Sequence, residues 1–454
     1  MYPTTIIAVG VVLATSIIIR SVDIFRFHAF GVDTFGILQY SKWLRGNSLN
    51  LYKVGKIAYP SFLPRLLNLL QGLFSVRVLH IIPKLFDVFT SIVVFLFTLW
   101  FSGSEFIAFL ALLICTFSPI SVINGYGIST RNVGSFFFVL TILASYVAMF
   151  DAQVKYSMLV TAITCCTLMM LTNRIAYKSY FLLVIGTAIL LPLNSSYGTF
   201  LLVSVTSLVL CLLVTRMKFL NDLKGQIFLI NFFRKRREKE KSVMKRIALT
   251  FYYDLWWCVG ILAIINGADL FLATWLVTMI ALSFLWPWGE GERHIALGVA
   301  PASILAASYL SQRLFMIIPL LVLEISLIIR LSNKILQGRV VVSVDQRMLS
   351  LFNMIRDVGD DPLFLCLPPK YSFPVAYFTN KRVLYGDGTS QEGVLFQVEV
   401  LNAIKTQNGL EELALKYSVT HIFVDRNNFP LAINSNRWNP IIQEEHFTVF
   451  RRKS

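Results

Sequence analysis

Long apolar stretches separated by polar breaks fill most of the chain, at residues 4–19, 79–100, 105–121, 133–150, 157–171, 178–192, 197–215, 251–266, 269–286, 294–310 and 313–331. A helix rising about 1.5 Å per residue needs about 20 apolar residues to cross a hydrocarbon layer about 30 Å thick. These stretches predict about eleven membrane-spanning helices. The first, TTIIAVGVVLATSIII, has no Lys or Arg before it and no small-residue cleavage pattern after it, so it reads as a retained span rather than a secretory leader. Two segments follow another pattern. YPSFLPRLLNLLQGLFS (59–75) is too short and interrupted to span and reads as an amphipathic helix lying in the interface. The strongly basic 216–250, with aromatic and aliphatic residues interleaved, reads as an interfacial segment beside a charged loop.

The period changes after about Gly338. RVVVSVD, LFLCLP, RVLYGD and HIFVD read as short buried strands, and QRMLSLFNMI and LFQVEVLNAIKT as helical stretches between them. Strands alternating with helices indicate α/β layers, and about 115 residues are enough for a separate core. The chain therefore divides into a helical transmembrane domain, 1–335, with a long first loop at 20–78, and a soluble α/β domain, 336–454. GDGTSQEG (386–393) lacks the strand-to-helix context of a dinucleotide site and reads as a loop.

Composition agrees with lipid as the main solvent: 56% of residues are hydrophobic and 15% charged, with a mean hydropathy of +0.67. The net charge of +16 matches Lys and Arg gathered at lipid interfaces and phosphate groups, and nucleic acid is not expected as a partner. Five of the six cysteines lie in apolar runs and none forms a CxxC pair, so they read as small hydrophobes rather than disulfides or metal ligands.

Counting crossings puts the break at 20–78, the turns at 122–132 and 172–177, the basic loop, WGEGER (287–293) and the C-terminal domain on one face. The other face receives only SGSE, DAQVKY, PLNSS, NGAD and SQR. Chemistry is expected on the long-loop face. A positive-inside count assigns that face to the cytoplasm.

Within FRFHAFGVDTFGILQYSKW (25–43), Asp33 sits among aromatics, where an acid needs a cation or water beside it. It is either a functional carboxylate or the N-terminal cap of the helix TFGILQYSKWL. Asp23 and His28 precede it, and Tyr40, Trp43, Tyr52 and Tyr59 supply aromatic faces on which sugars can stack. Asp87 in PKLFDVF either faces a cavity or pairs with Lys84. Arg293 and His294 stand just before a span, and Arg131, Arg174 and Lys178 lie in other turns of the same face. Arg293 has the alternative role of an interface anchor.

An acid in the first long loop, a YP segment before an interfacial helix, FSPISVINGYGISTRN (117–132) and ERHIALGVAPASILAA (292–307) together make the chain resemble the membrane-embedded C-type (GT-C) glycosyltransferases. That group includes protein mannosyltransferases, aminoarabinose transferases and lipid-linked mannosyltransferases. The likeness covers about residues 1–331 and rests on order and spacing. It implies an α-helical polytopic membrane protein with a C-terminal soluble domain, which moves a sugar from a polyprenyl-phosphate carrier to an unidentified acceptor with inversion. Asp33 would be the general base. Arg293, His294, Arg131, Arg174 and Lys178 would cradle the donor phosphate, while His28, Tyr40, Trp43 and Tyr59 would contact sugar or acceptor. The resemblance also implies a cell membrane, or the ER membrane of a eukaryote, with the long-loop face outside or luminal, against the positive-inside count. Many members carry Asp-Glu or Asp-x-Asp where this chain has Asp33-Thr34, and Asn132 stands where relatives often have an acid. A divalent metal would therefore lack the paired carboxylates it prefers, and no cofactor is assigned. The competing readings are a transporter of lipid-linked sugars, for which the halves show no repeat, and a non-catalytic membrane subunit of a glycosylation assembly.

Overall fold

The computed structural model describes residues 2–44, 52–54, 62–190, 195–217, 219–220, 223–224, 227, 254–284, 292–337, 342–359, 361–385, 391–403, 406–429, 433 and 436–453. Every apolar stretch singled out above contains a helix. Pro3–Arg20, Val76–Ser102, Thr130–Phe150 and Leu314–Leu336 are long and apolar enough to cross a membrane by length and composition. Others stop short. The stretch expected at 105–121 ends its helix at Thr116, because Pro119 opens a new turn, Pro119–Asn124, after the extended Ser118. A 12-residue helix rises about 18 Å, less than the hydrocarbon thickness, so its end needs protein partners. Ser118 Oγ donates to Asp254 Oδ2 at 2.5 Å, and the Leu255 N–H, just before the helix Trp256–Ile265, donates to Glu324 Oε1 at 2.8 Å. The sequence expected YPSFLPRLLNLLQGLFS to form an amphipathic helix, and Phe62–Leu70 is one, with Leu63, Pro64 and Leu67 buried.

Eight strands form two sheets among the described residues. β1 (Ala29–Phe30) pairs antiparallel with β3 (Ser343–Val344), Ala29 facing Val344. The second sheet contains β2 (Tyr52–Val54), β4 (Leu363–Leu367), β5 (Arg382–Tyr385), β6 (His421–Asp425), β7 (Trp438–Glu444) and β8 (Phe447–Arg452), in the order β2-β5-β4-β6-β8-β7. β2, β5, β4 and β6 run parallel, while β8 and β7 close the edge as an antiparallel hairpin. Every residue of β4 and β6 is buried, as the apolar runs predict for strands covered on both faces. The hairpin β7–β8 has no clear sequence signal: WNPIIQE mixes a proline with polar residues and is mostly exposed, an edge pattern that periodicity does not reveal.

The first loop supplies strands to both sheets, so the C-terminal sheet is not built from residues 336–454 alone. The His28 N–H donates to Val344 O (2.9 Å) and the Gly31 N–H to Val342 O (3.0 Å). Beyond them the helix Val32–Leu44 buries Phe35, Ile37 and Leu38 completely. Phe35 meets Phe378 edge-on at 5.8 Å, and Lys42 Nζ donates to Tyr377 O at 3.1 Å while lying 3.8 Å from the Tyr377 ring centre. Burial, aided by the Arg356 charge, lowers the Lys42 pKa. The segment carrying Asp33 is thus held between the helical bundle and the C-terminal sheet.

Candidate functional site

Asp33 is the second residue of its helix and is half exposed, and its Oδ2 lies 3.8 Å from Arg131 Nη2. Arg131 is likewise second in the helix Thr130–Phe150, whose start is capped by Ser129 Oγ accepting the Arg131 N–H at 3.1 Å. The cation that an acid among aromatics requires is therefore supplied from the turn at 122–132.

Arg131 also lines a narrow pocket with Asn124, Asn173 and Arg293. Asn173 joins two helix starts there. Its Oδ1 accepts from the Ile175 and Ala176 N–H groups (2.8 and 3.1 Å), capping Arg174–Leu190, and its Nδ2 donates to Thr130 O (3.2 Å). The approach requires glycine at 134, since a Cβ there would fall 2.2 Å from Asn173 Cβ. Two helices of 21 and 17 residues thus direct their positive ends to one place, where a negative ligand is favoured. Among the described residues, the buried Arg131 Nε has no hydrogen-bond partner.

The remaining candidates separate into groups. His294 is buried, with Nδ1 2.8 Å from Ser179 Oγ. That bond pins Glu292–Leu297 to Arg174–Leu190 beside Lys178 and Arg293, the sequence neighbours of the bonded pair. Arg174 is the first residue of its helix. His28 stands away from this group: its Nε2 is 3.0 Å from Gln346 Oε1, in the β1–β3 seam. Tyr40 is half-buried in the first-loop helix, and burial raises its phenol pKa against the lowering effect of Arg65. The Trp43 side chain, Tyr59, WGEG and the basic run at 234–246 lie outside the described residues.

Behind the pair lies a buried ionic network of which the sequence suggested only the Asp87 and Lys84 charges. Lys84 Nζ donates to Asp23 Oδ1 and Oδ2 (2.8 and 3.0 Å) and to Gly125 O (2.9 Å), and Asp23 Oδ2 also accepts the Gly127 N–H (2.8 Å). Asp87 Oδ2 accepts from Asn132 Nδ2 at 2.7 Å and lies 3.5 Å from Arg20 Nε. The expected partnership of Asp87 with Lys84 is one of charge only: Lys84 hydrogen-bonds Asp23, and Asp87 bonds Asn132 beside Arg20. Helix periodicity could not show this, because Asp23 is 61 residues from Lys84. Burial pushes the Asp23 carboxyl up, but His80, with Nδ1 3.8 Å away, and the Lys84 charge together hold it below the ordinary value.

A larger cavity, about 650 Å³, lies elsewhere, at the carboxyl end of β6. Its wall includes the buried Asp425, whose Oδ2 accepts from Tyr371 Oη at 2.7 Å, and the exposed Arg347–Glu445 ion pair. Its lining includes none of the site residues expected from the sequence.

No family model and no curated protein sequence matches the chain. Solved structures do. ArnT from Cupriavidus metallidurans bound to undecaprenyl phosphate aligns with a TM-score of 0.65 at 11% identity, covering 97% of this chain and 97% of that one. The Archaeoglobus fulgidus oligosaccharyltransferase in its apo form aligns at 0.64 and 12% identity over 93% of this chain and 69% of its own. Mycobacterial arabinofuranosyltransferase AftD aligns at 0.58 and 12% over 98% and 40%. These neighbours are C-type glycosyltransferases, and the chain has their fold.

Proposed function

Starting from that fold, we propose that the protein is a membrane glycosyltransferase that moves a sugar from a polyprenyl-phosphate carrier to an acceptor hydroxyl or amine. The observation carrying this reading is Asp33 set 3.8 Å from Arg131 while Arg131 and Arg293 line one pocket at two helix starts. Two guanidinium groups on one pocket fit an anionic ligand, and one neighbour, ArnT, was solved with undecaprenyl phosphate.

In the proposed reaction the acceptor oxygen or nitrogen attacks the anomeric carbon while Asp33 takes its proton. The bond from that carbon to the carrier's phosphate oxygen breaks on the opposite side, so configuration inverts. Negative charge grows on the departing polyprenyl phosphate, where Arg131 and Arg293 oppose it and a guanidinium can bind two oxygens at once. Arg174 and Lys178 extend the positive surround, and His294 steadies Arg293 through Ser179. In this reading the long-loop face is external or luminal.

The test uses full-length protein in lipid nanodiscs with radiolabelled polyprenyl-phosphate sugars. The expected result is release of polyprenyl phosphate and labelling of an acceptor, lost in Asp33→Asn at unchanged melting temperature. Full activity in Asp33→Asn removes the base assignment, and a folded wild type that consumes no lipid-linked donor points to a non-catalytic subunit.

A further inference from the structure

Asp33 and Arg131 come from segments about a hundred residues apart, and one buried hydroxyl joins them. Thr34 Oγ1 donates to Phe30 O at 2.5 Å and accepts the Ile128 N–H at 2.8 Å. The side chain is fully buried. Two glycines make the approach possible: Gly31 (φ +101°) and Gly127 (φ +79°) meet back to back, and a Cβ on Gly127 would stand 2.6 Å from Phe30 O and 3.0 Å from Thr34 Oγ1. The positive φ values also favour glycine. Asp23 holds the far side of the same turn through the Gly127 N–H. Thr34 follows Asp33 directly, and Ile128 lies three residues before Arg131, so this latch fixes both partners of the exposed pair at their backbones.

We propose that Thr34 is a positioning residue: its hydroxyl sets the distance between the Asp33 carboxylate and the Arg131 guanidinium and so tunes the site for a phosphate-bearing lipid. The phosphate part rests on the function proposed above; the positioning part does not. A hydroxyl with this double role has a clean pair of variants. Thr34→Val keeps the shape and loses the donor and acceptor, leaving the Ile128 N–H unsatisfied, while Thr34→Ser keeps the hydroxyl.

The experiment attaches nitroxide labels at positions 33 and 131 of the full chain in nanodiscs and reads their dipolar broadening in the wild-type, Thr34→Val and Thr34→Ser backgrounds. In parallel, undecaprenyl phosphate binding is titrated on the unlabelled wild type, Thr34→Val and Thr34→Ser. A broader distance distribution and about tenfold weaker binding are expected for Thr34→Val, with Thr34→Ser within about twofold of wild type on both readouts. An unchanged distribution in Thr34→Val overturns the proposal, whatever happens to binding. A changed distribution in a protein whose wild type does not bind undecaprenyl phosphate keeps the positioning role and removes the phosphate reading. A variant that only melts earlier, with distances and affinity intact, reduces Thr34 to a stability role and also overturns the proposal.

Discussion

Two ion pairs lie ten residues apart along the first loop and behave oppositely. Asp23–Lys84 is closed to solvent, at 2.8 Å, while the side chains of Asp33 and Arg131 are 46% and 36% exposed, at 3.8 Å. In the buried pair, Asp23 also accepts a backbone N–H and Lys84 also donates to a backbone carbonyl. The open pair has capacity left over, since both side chains face solvent and stand 3.8 Å apart. The contrast teaches that charge in an apolar sequence marks a polar necessity without saying which kind. A closed pair holds backbone in place, and an open one can bind something else.

The largest expected effect is on chemistry. Asp33→Asn should lower sugar transfer by about 10²- to 10⁴-fold, the range for losing a general base. The same change should shift stability by less than about 1 kcal/mol, as for an exposed pair, which a thermal melt in nanodiscs checks. Next, Lys84→Met alone should destabilise by about 3–5 kcal/mol, because it strands a buried carboxylate. Combining it with Asp23→Asn should recover a large part of that loss, measured by the same melts. A double variant no more stable than Lys84→Met would show that the pair is more than mutual neutralisation. Arg131→Gln should weaken undecaprenyl phosphate binding by about 10- to 100-fold, from the loss of charged hydrogen bonds, with little change in melting temperature.

The smallest effect is on acid stability. Asp23 is held below its ordinary pKa of 3.8, so its contribution is fully present above that value and is lost as pH falls toward the lower folded value. Melting temperatures below about pH 4 should therefore decline more shallowly in the Asp23→Asn/Lys84→Met variant than in wild type. Equal slopes would mean that other carboxylates control the acid limb.

Much of this organisation was legible beforehand. The apolar runs and the switch to short strands after Gly338 placed the helices and three of the parallel strands, because burial in lipid or between layers imposes a residue pattern that local sequence must carry. Asp33 was legible as either a functional carboxylate or a helix cap, and Arg131 and Arg293 as cations at span ends. Their meeting was not, nor was the exchange that gave Lys84 to Asp23 and Asp87 to Asn132.

By itself, then, the amino-acid sequence determined the apolar helices, the α/β character of the C-terminal part and the kinds of charge available at one set of loops. Tertiary structure alone decided which charges became partners, that β1 and β2 leave the first loop to join C-terminal strands, and that Gly31 and Gly127 touch so that Thr34 can bridge their segments. The physical reason is range: periodicity and capping act over a few residues, whereas ion pairs, sheet register and backbone contact join segments that chain distance cannot specify.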